Sequence, residues 1–208
     1  RDPDWEFRGM TDWAFDPNVR RRPEDYPVND TGSAITPLMF NAVGGSTIHW
    51  TGHTPRFHPS DFRVKTLDGA ADDWPLTYDE LAPYYEINDI MMGCSGINGD
   101  PANPPRNPRP LPPLPLGADG LRMAQAFDKL GWHWWPSDSY INSLPYDGRG
   151  ACNNCGPNGL GCYVRAKGST DVTYWPKATR NGAVLKTRCR VFEITVDGQG
   201  RCTGAAYY

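Results

Sequence analysis

The chain has 208 residues, enough for one domain with a sizeable core or for two small ones. Its net charge of −3 leaves no basic excess to neutralise phosphates, which argues against a nucleic-acid partner, and no apolar run approaches the length of a bilayer span. The 22 Gly, 21 Pro, eight Trp and ten Tyr point to a loop-rich architecture with aromatic-lined surfaces, because Gly and Pro interrupt regular elements.

Residues 1–40 mix Trp5, Phe7, Trp13, Phe15 and Tyr26 with Asp, Arg and Pro and read as extended loop, closing on a short apolar run at 35–40. The next stretch carries the densest chemistry. Asn41-Ala42-Val43-Gly44-Gly45-Ser46-Thr47-Ile48-His49-Trp50-Thr51 joins a glycine pair to small hydroxyls, a histidine and an aromatic ring. Paired glycines reach positive φ and let a planar or phosphorylated ligand approach the main chain without a Cβ in the way. Two readings stay open on spacing alone: a loop built around a cofactor, or a plain turn between strands.

Thr77-Tyr78-Asp79-Glu80 has the capping-box pattern and predicts a helix that stops at Gly93, with Leu81, Tyr84, Ile87 and Ile90 or Met91 on its core face and a mild kink or late start at Pro83. Eight prolines in 99–118 rule out a central strand or long helix there and predict an extended connector. Leu121, Ala124, Phe127 and Leu130 form a second helical stripe that ends at Gly131 and is expected to pack in a core. Trp132-His133-Trp134-Trp135 follows; closing a core is the preferred reading over lining a sugar site. Ser169 is placed to cap a helix through about residue 180, kinked at Pro176. Residues 184–196 read as a strand that turns at Asp197-Gly198-Gln199-Gly200 and returns over 202–208, with Cys189 and Cys202 on opposite strands.

Cys152, Cys155 and Cys162 fall within eleven residues among glycines that let the chain fold back, so the thiols are expected to face one another. A structural role as thiols or a local disulfide is preferred, an iron–sulfur cluster comes second and another metal third, since zinc lacks a nearby fourth ligand. No Ser-His-Asp, His-Glu-x-x-His or phosphate-loop pattern is present, and no Gly-x-Gly-x-x-Gly follows a strand.

The order Val-Gly-Gly-Ser-Thr-x-His-Trp-Thr, followed by Thr54-Pro55-Arg56-Phe57, resembles the second flavin motif of the glucose-methanol-choline (GMC) oxidoreductases, most closely the pyranose 2-oxidase-like branch. The similarity continues through residues 78–93 and 167–208 and is looser in the proline-rich part between. It implies an α/β (mixed α+β) fold: part of a GMC-type FAD-binding domain plus part of its substrate-binding lobe. Residues 1–68 would be an FAD-binding segment with the flavin-edge loop, 69–147 a helical and proline-rich segment entering the substrate lobe, and 148–208 the cysteine loop, a helix and a hairpin returning to the FAD domain.

The same resemblance implies FAD as cofactor, with Asn41, Val43, Gly44, Gly45, Ser46, Thr47, His49, Trp50 and Thr51 around it and Val191 near the adenine. His49 occupies the position that bonds covalently to the flavin 8α-methyl in some members, and Thr51 the position against N5. The implied reaction is oxidation of an alcohol, a sugar or glycoside by preference, with hydride passing to flavin N5 and the hydroxyl proton to a C-terminal histidine outside these residues. The chain is therefore expected to begin after the family's first βαβ unit, to need the remaining segments of the same enzyme, and in some relatives to meet an electron-acceptor subunit. The rival expectation is a non-enzymatic, aromatic-rich carbohydrate-binding or iron–sulfur electron-transfer module.

Overall fold

The computed structural model describes residue 29 and residues 31–35, 40–156 and 158–208. The expected extended loop over 1–40 lies largely outside these residues. The chain divides into two compact units, Arg1–Tyr174 and Trp175–Tyr208.

In the first unit, a 3₁₀ turn at Gly45–Ile48 is followed by a 3₁₀ turn at Pro59–Arg63 that runs into a short helix, α1 (Val64–Asp68). Helix α2 (Tyr78–Met92) starts where the capping box predicts: the Thr77 hydroxyl accepts from the Glu80 amide, and the Glu80 carboxylate accepts from the Thr77 amide at 2.8 Å. Gly93 ends it in the left-handed region, and Pro83 sits inside it, so the late-start alternative does not apply. Helix α3 (Ala118–Leu130) is closed by Gly131, again as its stop residue predicts. The proline-rich stretch between these helices contains no helix or strand.

The faces of the two helices differ from the expected stripes. On α2 the buried residues are Tyr78, Asp89 and Met92, while Tyr84, Ile87 and Ile90 are exposed. Charge pairing sets this orientation, since Asp89 turns inward to meet Arg56 at 2.5 Å. On α3 only Ala124 is buried, and Leu130 is 61 % exposed. Trp132 is likewise 61 % exposed, so this tryptophan does not close a core; Trp134 and Trp135 donate their indole N–H groups to Asp128 and the Ile97 carbonyl.

An irregular ladder of single bridges, without full strands, ties the unit together. The segment 138–142 is its middle. Ser139 exchanges both backbone bonds with Ser95, and Ser95 also bridges to Leu111. On its other side Tyr140 donates to the Gly52 carbonyl at 2.7 Å and accepts from Gly168, while Asn142 donates to Ala166. Met92, Cys94 and Tyr140 form the apolar centre, with Trp50 and Tyr174 packed against it. This ladder brings residues 50–54 and 166–170, more than a hundred positions apart, to one place.

The second unit holds most of helix α4 (Tyr174–Arg180) and an antiparallel hairpin, β1 (Val191–Val196) and β2 (Cys202–Tyr207). The helix starts four residues later than Ser169 capping predicts, because the Ser169 hydroxyl is bonded to the Asp171 carboxylate and not to first-turn amides. The strand also starts later than expected, so Cys189 precedes β1 and does not face Cys202 across the hairpin. The turn at 197–200 forms as its residues predict, with Asp197 accepting from the Gln199 and Arg201 amides.

Candidate functional site

The glycine loop is anchored from within and from a distance. Gly44 has φ +99, and a Cβ there would stand 3.0 Å from the Asp171 side chain, so only glycine fits both the backbone and the space. Gly45 is different: at φ +55 it has nothing within 4 Å of an added Cβ, which leaves an open cradle over the turn. The Thr47 hydroxyl reaches the Gly44 carbonyl at 2.5 Å and accepts from the Thr170 amide at 3.1 Å, while the Thr170 hydroxyl donates to the same Gly44 carbonyl. The Trp50 indole donates to the Gly168 carbonyl at 3.0 Å.

His49 stands at the centre of the loop's far end. Its ring meets Phe40 edge to face at 4.2 Å, and its Nδ1 lies 3.2 Å from the Gly159 carbonyl. A carbonyl only accepts, so in this contact Nδ1 carries a proton. The short 3₁₀ turn Asn158–Leu160 that supplies this carbonyl is fastened twice more. The Asn158 amide donates to the Thr51 carbonyl at 2.5 Å, and Lys167, 1 % exposed, donates from Nζ to the carbonyls of Asn158 (2.5 Å), Ile48 (2.7 Å) and Trp50 (2.7 Å). Burial holds the Lys167 pKa below the ordinary lysine value.

Of the residues assigned to a cofactor, Asn41, Ser46 and Thr51 are exposed and Val43, Gly45 and His49 half-buried along one loop. Gly44, Thr47 and Trp50 support that loop from behind, with the polar atoms of Thr47 and Trp50 used inside the protein. Val191 lies on β1 in the other unit, exposed and paired with Tyr207.

All six cysteines are free thiols, and among the described residues no group of three or more His, Cys, Asp or Glu side chains is arranged to hold a metal ion. Cys152 turns its thiol to Asn154, and Cys162 accepts from the Lys167 amide at 3.4 Å.

Sequence reasoning passed over Asn158, Gly159, Lys167 and Thr170, which hold the loop. Their only trace is a lysine inside the small-residue run Ala166-Lys167-Gly168-Ser169-Thr170. It also passed over a buried charge cluster behind the ladder. Arg56 pairs with Asp89 and Glu86, and Asp138 with Arg106 (2.7 Å) and Arg109 (3.1 Å). The Tyr140 hydroxyl donates to Asp89, and burial first, then the Asp89 charge, pushes that phenol well above its usual range.

No family model matches the chain. It is similar, however, to dehydrogenases and oxidases. It shares 46 % identity over 207 residues with 2-methyl-1,2-propanediol dehydrogenase of Mycolicibacterium austroafricanum, covering 98 % of this chain and 37 % of that protein. With the fructose dehydrogenase large subunit of Gluconobacter japonicus the identity is 34 % over 176 residues, 82 % of this chain and 32 % of the relative. With 6'''-hydroxyparomomycin C oxidase of Streptomyces lividus it is 30 % over 172 residues, 79 % and 31 % of the two chains. The chain thus spans about a third of the length of the curated relatives it matches. Those relatives are dehydrogenases and oxidases by name. Among the described residues no helix is long and apolar enough to cross a membrane.

Proposed function

We propose that this chain is the flavin-edge portion, with part of the substrate lobe, of a GMC-type FAD-dependent oxidoreductase that oxidises an alcohol, a sugar or glycoside by preference. The carrying observation is the loop at 44–51: an open glycine turn, exposed Ser46 and Thr51, and His49 held through Nδ1 by the Gly159 carbonyl. Similarity to dehydrogenases and oxidases adds to it. FAD, when bound, supplies the hydride acceptor. The chain's own share is positional: the 44–51 loop would hold one edge of the ring system, with His49 at the position that attaches the flavin covalently in some members of the family it resembles. The base that takes the alcohol proton is assigned to none of these residues. The Gluconobacter relative is described as a large subunit, which supports a partner subunit as electron acceptor here as well.

A visible spectrum and acid precipitation of the full-length protein test this reading. A two-banded flavin spectrum is expected, with part of the colour retained in the precipitate and lost from it in His49→Ala. A colourless protein, or a broad brown absorbance without flavin bands, would overturn it.

A further inference from the structure

We propose that Lys167 is the positioning residue of the His49 loop: its ammonium binds the 158–160 turn to the Ile48–Trp50 backbone and thereby keeps the Gly159 carbonyl on His49 Nδ1. The proposal deepens the flavin-edge reading and rests on it for its meaning, though not for its test. Three observations carry it. Lys167 is 1 % exposed, so its charge is satisfied within the protein. Its three recorded hydrogen bonds all go to main-chain carbonyls, of Ile48, Trp50 and Asn158, that is, to two segments about 110 residues apart. These carbonyls flank the two ends of the imidazole contact, since His49 lies between Ile48 and Trp50 and Gly159 follows Asn158.

An ammonium suits this place because it carries three donors around a single point, whereas a guanidinium spreads its donors in a plane. Charge-assisted bonds to carbonyls are also stronger than neutral ones, and burial keeps water from competing. A residue that only filled space would have no reason to gather carbonyls from both sides of the histidine. Without the ammonium, three carbonyls lose a donor at once, the 158–160 turn loses a tie to the Ile48–Trp50 backbone, and Nδ1 loses a fixed acceptor. The imidazole proton is then no longer confined to Nδ1.

The test compares full-length wild-type protein with Lys167→Met, which keeps the volume and removes the donors, and Lys167→Gln, which keeps two donors on a shorter stem and carries the comparison if the Met variant does not fold. Nitrogen-15 NMR of histidine-labelled protein, with His49 assigned through His49→Gln, reads the tautomer; hydrogen exchange reads the backbone. Expected are an Nδ1-protonated His49 in the wild type, a tautomer mixture in the variants, and exchange over 44–52 and 158–160 faster by about tenfold or more with 85–95 unchanged. A wild type protonated on Nε2, an unchanged His49 signal with unchanged exchange, or faster exchange throughout 85–95 as well, would each overturn the proposal. A colourless wild type that still shows the Lys167-dependent tautomer shift supports it while removing the flavin reading.

Discussion

The guanidinium of Arg56 lies 2.5 Å from the carboxylate of Asp89 on α2, with the two side chains 4 % and 7 % exposed. The pair is buried yet not isolated: Glu86 meets the same guanidinium, Tyr140 donates to the free Asp89 oxygen, and Asn88 donates in turn to the Tyr140 hydroxyl. Removing one partner strands the others in a dry site. Asp89→Ala is therefore expected to cost about 3–5 kcal/mol. Urea denaturation of the full-length protein measures it; a loss below about 1 kcal/mol would mean that the cluster is open to water.

Thiol reactivity should follow burial. Cys94 is 1 % exposed, and burial, then the nearby Asp89 and Asp138 charges, pushes its pKa well above the usual thiol range, so it stays protonated at neutral pH. Cys155 and Cys202 are exposed. Iodoacetamide on the native protein, read by mass spectrometry, should label Cys155 and Cys202 while sparing Cys94, with Cys94 labelled only after denaturation.

Gly44→Ala should disturb the loop without touching the core. The substitution forces a side chain to φ +99 and pushes its methyl to 3.0 Å from Asp171. A cost of roughly 1–3 kcal/mol is expected from the backbone alone. Gly45→Ala, which meets no atom, serves as the steric control at another positive-φ site. Equal losses of stability in the two variants would show that the Asp171 contact is irrelevant.

The cap of α2 gives a pH signature. Hydrogen bonds from the Thr77 amide, then from its hydroxyl, hold the Glu80 carboxyl below the ordinary value. A folded-state pKa below the unfolded one means that the stabilisation is present above the unfolded glutamate pKa of about 4.3 and is lost as pH falls through the folded value. The stability difference between wild type and Glu80→Gln should be largest near neutrality and shrink as pH drops through the carboxylate range. A difference independent of pH would assign the cap to geometry and not to charge.

What the chain reveals before folding depends on how far apart the interacting groups lie. The start of α2 is legible because Thr77 and Glu80 are three positions apart, and its end because Gly93 needs only its own φ. Its buried face is not, because Asp89 answers to Arg56, Arg109 and Tyr140, none of them within reach of a helical period. The stripe on α3 is correct as a helix yet its residues remain largely exposed. The glycine loop is recognisable from 44–51 alone. Its supports are not, since Gly159, Lys167 and Thr170 join it only through folding, and neither spacing nor composition encodes which carbonyls a lysine will collect.

That separation has a consequence during synthesis. The contacts from His49 to Gly159 and from Thr170 to Gly44 span 110 and 126 positions. At about 5–20 residues per second, a ribosome needs on the order of 5–20 s after making the glycine turn to make its anchors. Through that interval the turn has neither its lysine tie nor its threonine knot, and closing so long a gap carries an entropy cost that only the finished contacts repay. The loop thus takes its shape only after residue 170 has been made, and a nascent chain halted before residue 158 would carry the motif without that shape.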